Sequence, residues 1–131
     1  NITGSIKRGL LLLTGFSQSD TKETVLKLAK KVKKLRIFSD EDGKMNLNID
    51  AVSGSILSIS QFTLYGSLKK TNRPSFTDSM NFSLAEEFYD LFNFELRNIG
   101  LDVEQGIFGE DMKINLVNDE PVTIILDSDT L

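Results

Sequence analysis

The sequence predicts a compact single domain of α/β or α+β class, with mixed or antiparallel β-sheet layers on which two helices pack. Three observations carry this. Two segments, one over 21–35 and one over 83–100, set apolar residues at helical spacing behind capping signals. Around them lie short apolar runs bounded by glycine or by polar turns, the mark of strands. Their order is strand, helix, strands, helix, strands, and 131 residues suffice for one core but not for two.

Asn1 leads into Ile2-Thr3-Gly4-Ser5-Ile6 and then Lys7-Arg8-Gly9, which reads as the end of a strand followed by a turn. The leucine run 10–13 stops at Thr14-Gly15 and has the length of a buried strand, although periodicity alone does not separate it from a helix. After a loop over 16–19, Asp20-x-x-Glu23 matches a capping box. Val25, Leu28, Val32 and Leu35 follow on one face, giving a helix from about Thr21 to Leu35. Its lysines fill the remaining faces, and a solvated outer surface accounts for them better than an RNA-binding helix does.

Arg36-Ile37-Phe38 is a short extended piece, and Asp40-Glu41-Asp42-Gly43-Lys44 is a turn, because Asp-Gly favours positive φ. Met45, Leu47 and Ile49 alternate with polar residues. They spoil the ligand pattern of a calcium loop and indicate a half-buried strand or extended arm. Ile56, Leu57 and Ile59 form a strand between Ser53-Gly54 and Gly66. Residues 67–76 are a polar, basic loop in which Pro74 bars helix at Arg73, and its closing Phe76 must pack somewhere. Ser83-x-x-Glu86 is a second capping box, from which Leu84, Phe88, Leu91, Phe92 and Ile99 carry a helix to Gly100 at the C′ position. Residues 101–104 are extended, 106–112 form a loop with two glycines around Phe108, and 113–117 alternate as a strand. Asn118-Asp119-Glu120-Pro121 is a turn, and 122–127 a final strand.

Composition narrows the chemistry. Histidine and cysteine are both absent, so Ser-His-Asp and Cys-His mechanisms, disulfides and cysteine metal sites are excluded. Catalysis is left to carboxylates, lysine, hydroxyls, backbone N–H groups or the substrate itself. No metal and no cofactor are expected. There is neither a signal-peptide pattern nor an apolar run of membrane-spanning length, which fits a cytoplasmic protein with no membrane partner. The net charge of −4 weighs against broad nucleic-acid binding, and no DNA partner is expected. The charge is unevenly spread. Seven of the fifteen basic residues lie between Lys22 and Arg36, and Lys69, Lys70 and Arg73 form a second cluster. From Leu101 onward eight acids face one base, Lys113. Such a dipolar chain can hold a short single-stranded end on a local basic rim.

The far end of the central strand is chemically unusual. Ser60, Gln61 and Thr63 crowd three hydrogen-bonding side chains around Phe62, and a buried strand seldom ends in so many polar groups without partners. A strand surfacing at a turn is one account of them. A site where hydroxyls, an amide and free backbone N–H groups face a ligand is the other. Ser60-Gln61-Phe62-Thr63-Leu64 resembles the SQxTL signature of the D-aminoacyl-tRNA deacylases. Further segments resemble the same family in order and at matching spacing: the GLLxLxG strand of Gly9 to Gly15, Arg73-Pro74-x-Phe76 with its preceding lysines, and Gly106-x-Phe108-Gly109-x-x-Met112. Asn118-Asp119-Glu120-Pro121-Val122-Thr123 is similar to the family's NxGPVT motif with one substitution.

The resemblance implies a homodimeric cytoplasmic hydrolase that cleaves the ester between a D-amino acid and the terminal adenosine of tRNA, a chiral proofreading step in translation. Removal of glycine mischarged on non-cognate tRNA is implied with it. On this reading residues 1–131 are one deacylase-like domain without the family's opening strand, a QRV-like segment. Ser60, Gln61, Phe62 and Thr63 take catalytic positions, and Phe108, Gly109, Met112, Glu120 and Pro121 bind substrate. Lys69, Lys70 and Arg73 contact the 3′ end of the tRNA. The family's Gly-Pro pair is cis and reaches into the partner's pocket, reading the amino group and leaving no room for an L side chain. An aminoacyl ester is already activated, so backbone N–H groups near Phe62 and Thr63 and a ribose hydroxyl can suffice without histidine or cysteine. No base lies near Thr63 in sequence, which favours a positioning role for it; a covalent nucleophile is the alternative.

Two departures qualify the match. Thr71 stands where the family commonly has glycine, and Glu120 replaces the motif glycine before Pro121. The alternative reading is therefore an inactive or impaired homologue that binds the tRNA end, and a further one is a structural dimer whose polar strand end is a subunit contact.

Overall fold

The computed structural model describes residues 2–119 and 122–131. The Asn118–Pro121 turn, with the expected roles of Glu120 and Pro121, therefore falls partly outside the described residues.

The chain alternates strand and helix. Strand β1 (Gly9–Thr14) leads to helix α1 (Lys22–Lys34), a two-stranded ribbon of β2 (Phe38–Ser39) and β3 (Met45–Leu47), then the central strand β4 (Ser55–Ser60). A 3₁₀ turn (Phe62–Tyr65), helix α2 (Phe82–Asn98) and strand β5 (Asp102–Gln105) follow. The sheet has the order β1-β4-β5 and is parallel throughout, while β2 and β3 pair antiparallel, so the two together give the mixed arrangement. A parallel strand pair requires a crossover, and with a monotonic order right-handed crossovers place both helices on one face. There Val25, Ala29 and Val32 of α1 meet Phe88, Tyr89, Phe92 and Leu96 of α2 over Ile56 and Val103.

Local chemistry sets each boundary. The first helix covers the expected span, but its cap is not Asp20 with Glu23. Thr21 is the last residue in extended conformation, its hydroxyl accepts from Thr24 N–H, and the Thr24 hydroxyl accepts from Thr21 N–H. Asp20 instead accepts from Ser17 N–H at 2.8 Å. At α2 the cap is Asn81, whose Oδ1 accepts from the N–H groups of Ser83 and Leu84, in place of the expected Ser83–Glu86 box. The C-terminus follows the expected glycine stop. Gly100 adopts φ +98, and Leu101 N–H returns to the Leu96 carbonyl at 3.0 Å, the 6→1 bond of a Schellman motif. The Asp40–Lys44 turn forms as its sequence dictates, with Gly43 at φ +77 and Asp40 Oδ1 accepting from Asp42 and Lys44 N–H groups.

The C-terminal arm departs from expectation. Neither 113–117 nor the described part of the final run, 122–127, pairs as a strand. Both pass over the surface, with Val117 93% and Ile125 89% exposed. The arm is anchored at its end, where Ser128 Oγ donates to Asp20 Oδ1 and Lys27 Nζ donates to the Leu131 carbonyl. The sheet face away from the helices carries Leu11, Leu13, Leu57 and Ile59, of which Leu13 remains 47% exposed.

Candidate active site

All three parallel strands end at the same edge of the sheet. In open α/β sheets the crevice beyond the carboxyl ends of the strands is where ligands bind, since loops of adjacent strands converge there. Here β1 runs out at Thr14-Gly15, β4 at Ser60-Gln61 and β5 at Gln105-Gly106. Thr14 is in register with Ser60, and Gln61 N–H donates to the Thr14 carbonyl at 2.7 Å. Gly15 makes this close exit possible, because a Cβ there would sit 2.8 Å from the Gln61 carbonyl oxygen and 3.2 Å from Leu64 Cβ.

Beyond Gln61 the chain tightens into its 3₁₀ turn, closed by Leu64 N–H to the Gln61 carbonyl and Gly66 N–H to the Thr63 carbonyl. The opening N–H groups of such a turn have no acceptor within it. Those of Phe62 and Thr63 donate to no described acceptor. The Gln61 side-chain amide donates to Thr63 Oγ1, which fixes the threonine rotamer and leaves its proton free to donate outward. Ser79 Oγ donates to the Phe62 carbonyl at 3.2 Å and braces the turn from behind. Phe76, the aromatic that closes the basic loop, packs on Phe62 edge-to-face, with centroids 5.1 Å apart.

The basic loop is pinched at its neck. Ser67 and Ser75 exchange two backbone hydrogen bonds of 2.7 and 2.8 Å. Lys69, Lys70 and Arg73 project from the loop between them, exposed and forming no ion pair with a described residue.

The glycine loop after β5 occupies the neighbouring position. Gly106 N–H and the Tyr89 hydroxyl both donate to the Ser58 carbonyl, at 3.0 and 2.7 Å. Burial raises the Tyr89 phenol above its ordinary value, with hydrogen bonding from the Ser58 side chain opposing part of that rise. Phe108 packs inward, edge-on to Phe82 at 4.9 Å and tilted against Tyr89 at 5.7 Å. Gly109 adopts φ +77 against the Phe82 ring, a conformation that favours glycine. Met112 folds back over Gly106, where any Cβ would collide with its methyl group and approach Ile59. Ser60–Thr63 and Gly106–Met112 thus sit on adjacent strands at one edge, with Lys69–Arg73 continuing from the first. The structure adds Gly15, Ser79 and Tyr89 as supports. Gly15 was visible in the glycine-bounded strand; Ser79 and Tyr89 carried no local signal.

Neither of two clefts on the chain is lined by Ser60, Gln61, Phe62 or Thr63. One, of about 30 Å³, lies beside Gly15 and Tyr65; the other, of about 580 Å³, opens at the opposite edge beside Lys7, Arg8 and Asp102.

Comparison with known proteins bears on the family and the fold. The family model for D-Tyr-tRNA(Tyr) deacylase matches residues 1–127. The solved structure of a c-Myc DNA unwinding element binding protein superposes with a TM-score of 0.86 at 37% identity, over 93% of this chain and 83% of that one. A probable eukaryotic D-amino acid tRNA deacylase superposes with a TM-score of 0.72 over 81% of this chain and 77% of its own; at 16% identity that likeness concerns the fold. A match over nearly the whole length places the chain in the D-Tyr-tRNA(Tyr) deacylase family, hydrolases of the ester bond of aminoacyl-tRNA.

Proposed function

We propose that the chain hydrolyses D-aminoacyl-tRNA, with glycine mischarged on non-cognate tRNA as a second substrate, and so proofreads chirality in the cytoplasm. The observation that carries this reading is the turn after β4, where the N–H groups of Phe62 and Thr63 have no acceptor among the described residues. The ester carbonyl oxygen sits against the N–H groups of Phe62 and Thr63. Water adds to the carbonyl carbon, its proton passing by way of the neighbouring ribose hydroxyl. The resulting oxyanion is held by the two N–H groups. The bond to the ribose oxygen then breaks, that oxygen takes the proton, and a free amino acid and tRNA leave. One preorganised donor in such a site is worth about 3–4 kcal/mol of barrier. Thr63, held by the Gln61 amide on one of its two acceptor lone pairs, donates to the substrate and positions it.

The functional unit on this reading is a homodimer. Parallel sheets are normally covered on both faces, and here one face and the arm leave Leu13, Val117, Ile124 and Ile125 exposed. A second copy covers them and brings its own segment around Pro121 towards Ser60–Thr63, where it excludes an L side chain.

The test is the rate of deacylation of D-Tyr-tRNA and L-Tyr-tRNA by the same protein. Loss of the D ester alone is expected, with Thr63→Ala slowing but not abolishing it. Binding without turnover would instead mark an impaired homologue limited by Glu120, and an aminoacyl adduct on Thr63 would replace positioning by covalent catalysis. One solved relative takes its name from a DNA element, so duplex DNA belongs in the assay as a competitor; the net charge of −4 predicts that it competes weakly.

A further inference from the structure

Phe62 and Phe76 pack on one another, yet neither is hidden. Phe62 is 61% exposed and Phe76 38%, and Leu68 beside them is 64% exposed. An edge-to-face pair buries an edge of one ring and leaves faces open. The pair is also held in place. Gly66 stands where a Cβ would come within 3.0 Å of the Phe76 ring, so the ring packs close against the turn. The Ser79 hydroxyl fixes the Phe62 carbonyl, and Ser79 N–H donates to the Phe76 carbonyl at 3.0 Å. Two aromatic rings that a soluble chain could have turned inward are instead braced at the surface.

What surrounds them decides what they suit. The pinched loop between Ser67 and Ser75, which joins the turn bearing Phe62 to Phe76, carries Lys69, Lys70 and Arg73, and none of the three is neutralised by a described acid. Exposed aromatic faces beside unpaired cations are the two parts of a single-strand nucleic-acid site. Bases stack on the rings, since every base has a π-face, while phosphates meet the cations. An apolar peptide would use the rings but leave the cations idle.

We infer that Phe62 and Phe76 form a stacking platform for an unpaired base next to the terminal adenosine of the tRNA. This rests on the reading that the ester enters at Thr63, and it assigns the adjoining surface to the following nucleotide. The platform holds the strand without reading its sequence, because stacking tolerates any base. Its contribution resists salt, whereas that of Lys69, Lys70 and Arg73 does not.

The test uses a short RNA ending in CCA with 2-aminopurine in place of the base before the terminal adenosine. Binding to the wild-type chain is expected to quench the probe, and Phe76→Ala to lose the quench and weaken binding about tenfold or more. Phe76→Trp is expected to restore affinity, and since the chain contains no tryptophan it supplies a single reporter whose emission responds to the RNA. Replacing Lys69, Lys70 and Arg73 by glutamine is expected to keep the quench while flattening the salt dependence, by roughly 0.7 in slope per lost contact. Unchanged RNA affinity and quench in Phe76→Ala would overturn the assignment. So would a Phe76→Ala effect confined to self-association, which would make the rings a subunit contact. Wild-type hydrolysis of D-Tyr-tRNA, measured separately, tells failure of the platform from failure of the deacylase reading.

Discussion

Strand β4 and the run 122–127 are built from the same kinds of residue, yet they end in opposite states. In β4, Ile56 and Ser58 are fully buried and Ile59 nearly so, with β1 on one side and β5 on the other. In the arm, Ile124 is 50% and Ile125 89% exposed, and the described backbone there joins no ladder. Intrinsic preference for extended structure is similar in the two, and what differs is the neighbours. A strand is stabilised by cross-strand pairs and by the surface it covers; the described part of the run has no cross-strand pair and packs on the core through Leu126.

That contrast can be broken at its strongest point first. Ile56→Ala is expected to cost about 2–5 kcal/mol of unfolding free energy, because it opens a cavity between α2 and the sheet. Ile125→Ala, in dilute protein, is expected to stay within about 0.5 kcal/mol. Urea unfolding of the two variants measures the difference, and equal losses would mean that the arm is part of the core. The second measurement sharpens the meaning of the exposed arm. Ile125→Glu puts a charge into the face assigned to the partner subunit, and about a 100-fold weaker self-association in sedimentation, with deacylation falling in step, is expected. Unaltered association would free the arm from any subunit role.

The smallest effect concerns pH. Burial, opposed in part by hydrogen bonding from the Ser58 side chain, holds the Tyr89 phenol above its ordinary value of 10.0. Below that value both folded and unfolded chains keep the proton, and the stabilisation is fully present. As pH rises past 10 the unfolded chain gives up its proton first, so stability falls towards the folded-state value. Tyr89→Phe should remove this share of the alkaline slope while costing about 1 kcal/mol at neutral pH for the lost bond to the Ser58 carbonyl. Tyr65, raised chiefly by its own burial and then by Asp20, leaves a residual slope in that variant. An alkaline slope identical to wild type would separate Tyr89 from it.

The same contrast explains what the sequence made legible. Both helices, the Asp-Gly turn and the glycine stop at Gly100 are local events, decided within a few residues, and each forms where the pattern places it. The caps moved to Thr21 and Asn81 because an N-cap is fixed by where the backbone leaves extended conformation, which neighbouring Asp20 and Ser83 do not control. The strands at 113–117 and 122–127 do not form although β1 and β5 each keep an edge that no described strand pairs, because pairing belongs to the assembled sheet and not to the local pattern. At the site, Ser60–Thr63 and the basic loop were readable as motifs, as was the need of Phe76 for a packing partner. Phe108 could not be assigned from its glycines alone. Its inward packing depends on Phe82 and Tyr89, which lie on a different element.

The neck formed by Ser67 and Ser75 has a consequence for change over time. A segment tied at its base by two backbone bonds passes little of what happens at its tip back to the sheet. Lengthening such a loop adds closure entropy only as a logarithm, about 0.6 kcal/mol per doubling. Residues 68–74 can therefore drift in length and charge while the turn beneath them keeps its geometry. On the proposed reading, descendants of this chain are free to alter how firmly they hold an RNA without altering where its ester lands.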